Sequence, residues 1–148
     1  MCEGEKMKKY KVGYTQGVYD MFHVGHLNLI NNAKKYCEYL IVGINSDRLV
    51  REYKNKTPVI SENNRCKIVE NIRSVDQAII VDTLDKTVVY KELGFDVIFI
   101  GSDWKGNLRW ERTRIELEKL GVDLIFLPHT DGITSTDLRG KEKLKVKE

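Results

Sequence analysis

The chain has 148 residues, 41% of them hydrophobic and 32% charged, enough for one domain that folds without disulfide or metal. Its 25 basic and 22 acidic residues leave a net charge of +3, too mild to argue for nucleic-acid binding, which shows a clustered basic face. Cys2, Cys37 and Cys66 form no CxxC pair, no apolar run approaches the ~18 residues of a membrane helix, and MCEGEKMKKY lacks a signal peptide's apolar stretch, so a reduced, cytoplasmic protein without membrane insertion is expected.

In chain order, residues 1–8 read as a charged tail and Lys11 to Thr15 as a first strand. His26 to Tyr36 places Leu27, Ile30 and Ala33 on one helical face. Tyr39 to Ile44 is a near-continuous apolar strand of the kind buried on both faces of a parallel sheet. Ser61 caps a helix over Glu62 to Ile72, with Ile68, Val69 and Ile72 inward. Ala78 to Val81, Val97 to Ile100 and Leu124 to Leu127 are three further strands. Between them, helices over Lys86 to Leu93 and Leu108 to Leu120 each end at a glycine, Gly94 and Gly121. Residues 140–148 form a second charged tail, which leaves one domain over residues 9–139. The order β-α-β-α-β-α-β-α-β predicts an α/β, Rossmann-like domain: a five-stranded parallel sheet with helices on both faces and a ligand edge at the strands' carboxyl ends.

Common nucleotide fingerprints fail. No GxGxxG follows the first strand, and no HExxH occurs. Gly101 to Gly106 imitates the spacing of a phosphate loop, but Asn107 and Leu108 replace the Lys and Ser/Thr it requires. Asn55-Lys56-Thr57 is a glycosylation triplet in form only.

What does follow the first strand is GVYDMFHVGH, with His23 and His26 three residues apart in the turn before a helix. Taken alone, such a pair is most often a surface or capping pair, and two nitrogens without Cys or carboxylate partners make a weak zinc site. Phosphate chemistry is the third reading. Helix-terminal N–H groups attract anions, Gly25 lets a phosphate approach the backbone, and two imidazoles can donate to its oxygens. After the last strand, HTDGITSTDLR offers a glycine turn and three consecutive hydroxyls, a second anion-accepting cradle. Two cradles at strand ends favour phosphate binding over coincidence.

GVYDMFHVGH, YLIVGINSD, the loop lysine of REYKNKTPV, ENNR, IRSVD, GSDW and HTDGITSTDLR occur in the order found in the cytidylyltransferases. The chain resembles that family of the HxGH nucleotidyltransferase superfamily from about Tyr10 to Arg139, with GSDWKG and TxGIxxT pointing to the glycerol-3-phosphate branch. The resemblance implies transfer of CMP from CTP to a small phosphorylated alcohol, most directly glycerol 3-phosphate, with release of pyrophosphate. Phosphocholine or phosphoethanolamine acceptors, an adenylyltransferase and a non-catalytic nucleotide sensor are the alternatives.

By the same resemblance, His23 and His26 would hold the reacting α-phosphorus, and Lys54 would neutralise the α-phosphate and the incoming phosphate. Lys56 and Lys86 are candidate substrate contacts. CTP contacts are implied for Val18, Tyr19, Gly25, Arg73, Asp103, His129, Thr130, Gly132, Ile133, Thr134, Ser135 and Thr136, with Arg65 and Asp76 as weaker candidates. Mg²⁺ would accompany CTP with few protein ligands, and a homodimer is expected. Two positions depart from the family pattern: His129 stands where Arg is usual, and Val18 where the branch often has Thr.

Overall fold

Apolar runs and amphipathic stretches alternate along the chain, and the computed structural model, which describes residues 10–101 and 108–128, folds them into five strands and five helices. These are β1 (Tyr10–Gly17), α1 (Val24–Lys34), β2 (Cys37–Asn45), α2 (Asp47–Lys54), α3 (Glu62–Glu70), β3 (Gln77–Val81), α4 (Lys86–Leu93), β4 (Val97–Gly101), α5 (Leu108–Lys119) and β5 (Asp123–Leu127). Both expected tails lie outside the described residues.

All strand pairs are parallel, in the order β3-β2-β1-β4-β5. The chain therefore builds outward from β1 through β2 to β3, then returns to the other side of β1 for β4 and β5. That reversal opens a crevice beyond the carboxyl ends of β1 and β4, where open α/β sheets bind ligands. Thr15 clasps the two strands there, its hydroxyl donating to the Phe99 carbonyl at 2.9 Å.

Alternation along the strands divides the core between the two faces. Leu40, Val42 and Ile44 of β2, with Val97 and Phe99 of β4, pack on Ile30 and Ala33 of α1 and Val69 of α3. Ile41 and Ile98 point the other way, onto Val89 of α4 and Leu117 of α5. Tyr14 joins this second face, stacked on Phe95 with ring centroids 4.8 Å apart. Its phenol crosses Gly43 so closely that a Cβ there would lie inside contact distance of Tyr14 Oη and 2.9 Å from its Cζ. Only glycine fits that crossing. Among the described residues, no helix is long and apolar enough to span a membrane.

Two local expectations need correction. Lys54, expected on a loop, is the last residue of a helix that the sequence pattern did not disclose. Ser46 caps α2, accepting from Leu49 N at 3.1 Å, and Asn55 ends it in the left-handed conformation (φ 55°). With two turns and five charged residues among its eight, α2 offers too little apolar periodicity to read. Helix α3 starts after Ser61 as expected but stops at Glu70, and Ile68 faces outward at 41% exposure.

Candidate active site

The segment after β1 reverses direction in a tight turn. Tyr19 (φ 55°) and Met21 (φ 50°) both adopt the left-handed conformation, which costs ~1–3 kcal/mol each for non-glycine residues and persists only where surroundings enforce it. Two buried side chains supply that enforcement. Tyr19 packs edge-on against the His26 ring, centroids 5.3 Å apart. The Asp20 carboxylate accepts from Val59 N at 2.8 Å and Ile60 N at 2.9 Å.

The turn delivers His23 to the position before α1 in an extended conformation (φ −140°). His23 Nδ1 accepts from Gly25 N at 3.0 Å, and His26 Nδ1 accepts from His23 N at 3.3 Å. The two histidines thus close a reciprocal cap, and their rings stack with centroids 4.0 Å apart. An imidazole accepting at Nδ1 must carry its hydrogen on Nε2 when neutral, so this hydrogen-bond pattern assigns both Nε2 atoms as donors. Burial, then the neighbouring His23, push the His26 pKa down to about 4 against the pull of Asp20. His26 is therefore a neutral donor at physiological pH. His23 Nε2 is itself buried.

The rest of the edge is braced by buried and part-buried polar side chains. Tyr14 Oη donates to Gln16 Oε1 at 2.6 Å, and Gln16 Nε2 donates to Asn45 Oδ1 at 2.8 Å and to the Thr83 carbonyl at 2.9 Å. Asn45 Nδ2 in turn donates to Tyr53 Oη at 3.0 Å. This chain of bonds links the carboxyl ends of β1 and β2 to the segment after β3 and to the last turn of α2. Lys54 follows Tyr53, its ammonium 5.7 Å from the Tyr53 ring centroid. Beyond it, exposed Lys56 lies on the segment that Asp20 ties to the histidine turn.

Arg65, a weak site candidate, proves to be a brace. Its side chain is fully buried, with Nη1 donating to the carbonyls of Val18 and Asn45 at 2.7 and 2.8 Å. Nε donates to the Ile60 carbonyl at 2.8 Å, and Nη2 pairs with Asp47 at 2.6 Å. Four segments around the edge are pinned by one guanidinium. Asp76 is likewise structural, bound to Lys34 Nζ at 2.6 Å and Leu40 N at 2.8 Å. Arg73 is exposed in the turn between α3 and the amino end of β3, on the side of the sheet away from the histidines. A helix that begins at the carboxyl edge must leave its following turn at the opposite one, so this chain does not bring Arg73 to His23 and His26.

Lys86 does reach the edge, as the first residue of α4. It is 6% exposed, donates to the Leu84 carbonyl at 2.8 Å, and holds its ammonium 5.0 Å from the Trp110 ring centroid. Burial, then the charge of Arg109, push its pKa down to about 8, opposed by Asp85. Asp20, Tyr53, Arg109 and Trp110 were not singled out in the sequence. Only Asp20 carried a signal, as a lone carboxylate among the aromatics of GVYDMFH. Asp103, His129, Thr130, Gly132, Ile133, Thr134, Ser135 and Thr136 lie outside the described residues.

The cytidylyltransferase-like family model matches residues 14–141. Over 126 residues the chain is 32% identical to the glycerol-3-phosphate cytidylyltransferase of Bacillus spizizenii, covering 84% of this chain and 92% of that protein. It is 36% identical over 105 residues to the bifunctional protein HldE of Caulobacter vibrioides, covering 70% of this chain but spanning only 22% of that relative's length. The lipopolysaccharide core biosynthesis protein from Thermoplasma volcanium GSS1 has the same fold, with a TM-score of 0.69 at 26% identity over 82% of this chain and 97% of that one. A histidine pair presented as donors at the switch point of a five-stranded parallel sheet, in a sequence the family model spans almost throughout, places this chain in the cytidylyltransferase-like family of nucleotidyltransferases.

Proposed function

We propose that this protein is a CTP-dependent cytidylyltransferase that transfers CMP to glycerol 3-phosphate, as a cytoplasmic homodimer serving cell-envelope synthesis. An oxygen of the acceptor phosphate attacks the α-phosphorus of CTP, the bond from that phosphorus to the β-phosphate bridging oxygen breaks, and pyrophosphate leaves. Little covalent work falls to the protein in such a reaction, so positioning and charge stabilisation carry it. His23 and His26 donate through Nε2 to phosphoryl oxygens as charge builds in the transition state, and they need no protonation to do so. Lys54 and Lys56 supply cations on the segment tied to the histidine turn, while Thr130, Thr134, Ser135 and Thr136 cradle the β- and γ-phosphates.

The reciprocal histidine cap is the observation that carries this reading, because it fixes two neutral donors side by side beyond β1. Acceptor choice draws support from the Bacillus spizizenii relative, whose likeness extends over nearly its whole length. Among the described residues no three metal-ligating side chains converge. Mg²⁺ accompanying CTP would neutralise phosphate charge. Pyrophosphate release, measured with CTP or ATP crossed against glycerol 3-phosphate, phosphocholine, phosphoethanolamine and sugar phosphates, tests the proposal. CTP with glycerol 3-phosphate is expected to be the fastest pair. Faster turnover with ATP, or with any other acceptor, would overturn the assignment.

A further inference from the structure

We propose that Tyr53 is a further phosphate contact, its hydroxyl hydrogen aimed at a phosphate oxygen beside Lys54 by a relay of side-chain amides. The proposal rests on the cytidylyl-transfer reading and adds a neutral donor to the histidine pair and the lysines. One backbone atom sets the direction of the whole relay. The Thr83 carbonyl can only accept, so the Gln16 group 2.9 Å from it must be Nε2. Gln16 Oε1 is thereby turned to Tyr14 Oη, which donates to it across 2.6 Å. Burial, then the neighbouring Tyr19, raise the Tyr14 pKa and keep that phenol protonated. Gln16 Nε2 also meets Asn45 Oδ1 at 2.8 Å, which leaves Asn45 Nδ2 facing Tyr53 Oη at 3.0 Å. An amide N–H can only donate, so Tyr53 Oη accepts and its own hydrogen points away from Asn45. Reversing either amide alone would set two acceptors or two donors against each other.

That hydroxyl lies at the ligand edge. Asn45 is the last residue of β2, and Gln16 is next to last in β1, just ahead of the turn that carries His23 and His26. The bond to Asn45 holds the last turn of α2 at this edge, and Lys54 follows with its ammonium 5.7 Å from the Tyr53 ring centroid. Tyr14 and Asn45 are buried while Tyr53 is only half-buried, so the relay runs outward from the core. Burial raises the Tyr53 pKa against the hydrogen bond from Asn45, and the phenol stays a neutral donor. Such a donor suits an oxyanion: Tyr53 gives the hydrogen bond and Lys54 the charge. The triphosphate and the acceptor phosphate both present oxygens of this kind, and separate binding measurements tell them apart.

Calorimetry with CTP alone and with glycerol 3-phosphate alone is run on wild type, Tyr53→Phe, Asn45→Asp and the double variant. Tyr53→Phe keeps the ring beside Lys54 and removes only the hydroxyl. The ligand whose phosphate it touches should weaken at least tenfold, the scale of one hydrogen bond to a charged group, while the other changes less than about twofold. Asn45→Asp tests the aim of the hydroxyl. Its carboxylate still accepts from Gln16 but now offers Tyr53 an acceptor as well, which turns the hydrogen inward. It should cost the same ligand at least tenfold in the wild-type background and no more than about threefold on top of Tyr53→Phe. A carboxylate acting through its charge alone would weaken binding equally in both backgrounds. Thermal melts verify that each variant folds. Unchanged affinity for both ligands in Tyr53→Phe, or equal losses from Asn45→Asp in the two backgrounds, would overturn the proposal. The expected binding pattern without any cytidylyl transfer would uphold the Tyr53 contact and overturn the reaction assigned above.

Discussion

Replacing His26 with Asn separates the cost of burying this imidazole from its other roles. Asn keeps a side-chain oxygen able to accept from His23 N, but it cannot ionise. Burial and the neighbouring His23 lower the His26 pKa from 6.5 to about 4. Above pH 6.5 the folded and unfolded chains both hold a neutral ring, so the residue adds no pH dependence there. Between pH 6.5 and 4 the unfolded chain takes up a proton that the native state refuses, and acid favours unfolding. At ~1.4 kcal/mol per pKa unit the full penalty is about 3 kcal/mol at pH 4, and about 2 kcal/mol has accrued by pH 5. Urea unfolding of both proteins at pH 7 and pH 5 measures this directly. Wild type should lose about 2 kcal/mol more than His26→Asn over that interval, because carboxylate titrations common to both cancel. Equal losses would show that the ring is not buried as a neutral donor, and the assignment of its Nε2 hydrogen would fall with it.

Lys86→Met should raise the stability of the ligand-free protein at pH 7 by ~1 kcal/mol, since a lysine whose pKa falls to about 8 is penalised whenever it is charged, less the cation–π contact it loses. Wild type should close that gap as pH rises from 8 to 10.5, and thermal melts at pH 7 and pH 10 check both halves. Arg65→Met removes a buried charge from Asp47 and from three carbonyls, and chemical denaturation should show a loss of about 3 kcal/mol. Asp20→Asn leaves one of two backbone N–H donors without its carboxylate, so amide exchange at Val59 and Ile60 should quicken and stability fall by ~1–3 kcal/mol. Gly43→Ala drives a methyl group into Tyr14, and its melting curve should reveal ~1–3 kcal/mol of destabilisation.

The strands were legible because burial on both faces writes an unbroken apolar run, as in Leu40 to Ile44, although Tyr39 at its start is exposed. The four longer-patterned helices were legible from their caps and apolar spacing, with Ser61 and Gly94 standing where the sequence placed them. Helix α2 was not, because its stability comes from Leu49 and Val50 buried beneath a highly charged surface rather than from a long stripe. At the site, His23 and His26 announced themselves by type and spacing, but their reciprocal cap depends on the turn set by Tyr19 and Met21, which no spacing rule conveys. Arg65 and Arg73 looked alike as isolated cations. Tertiary placement buried one as a brace and left the other in a turn at the far side of the sheet. Arg109 and Trp110 carried no signal in the sequence, because only the packing of α5 sets Trp110 beside Lys86.

The proposed transfer depends on the two Nε2–H donors at the end of β1, and His23→Asn and His26→Asn address them most directly. Asn is among the best residues at a helix N-cap, so His23→Asn should preserve the start of α1 to within a few tenths of a kcal/mol. It removes only the distal donor. With CTP and glycerol 3-phosphate saturating, pyrophosphate release should fall ~10²-fold or more in each variant, the scale expected when one donor to a charged transition state is lost, while pH 7 melting curves stay close to wild type. Near-normal turnover in either variant, with the fold intact, would contradict the role assigned to the histidine pair.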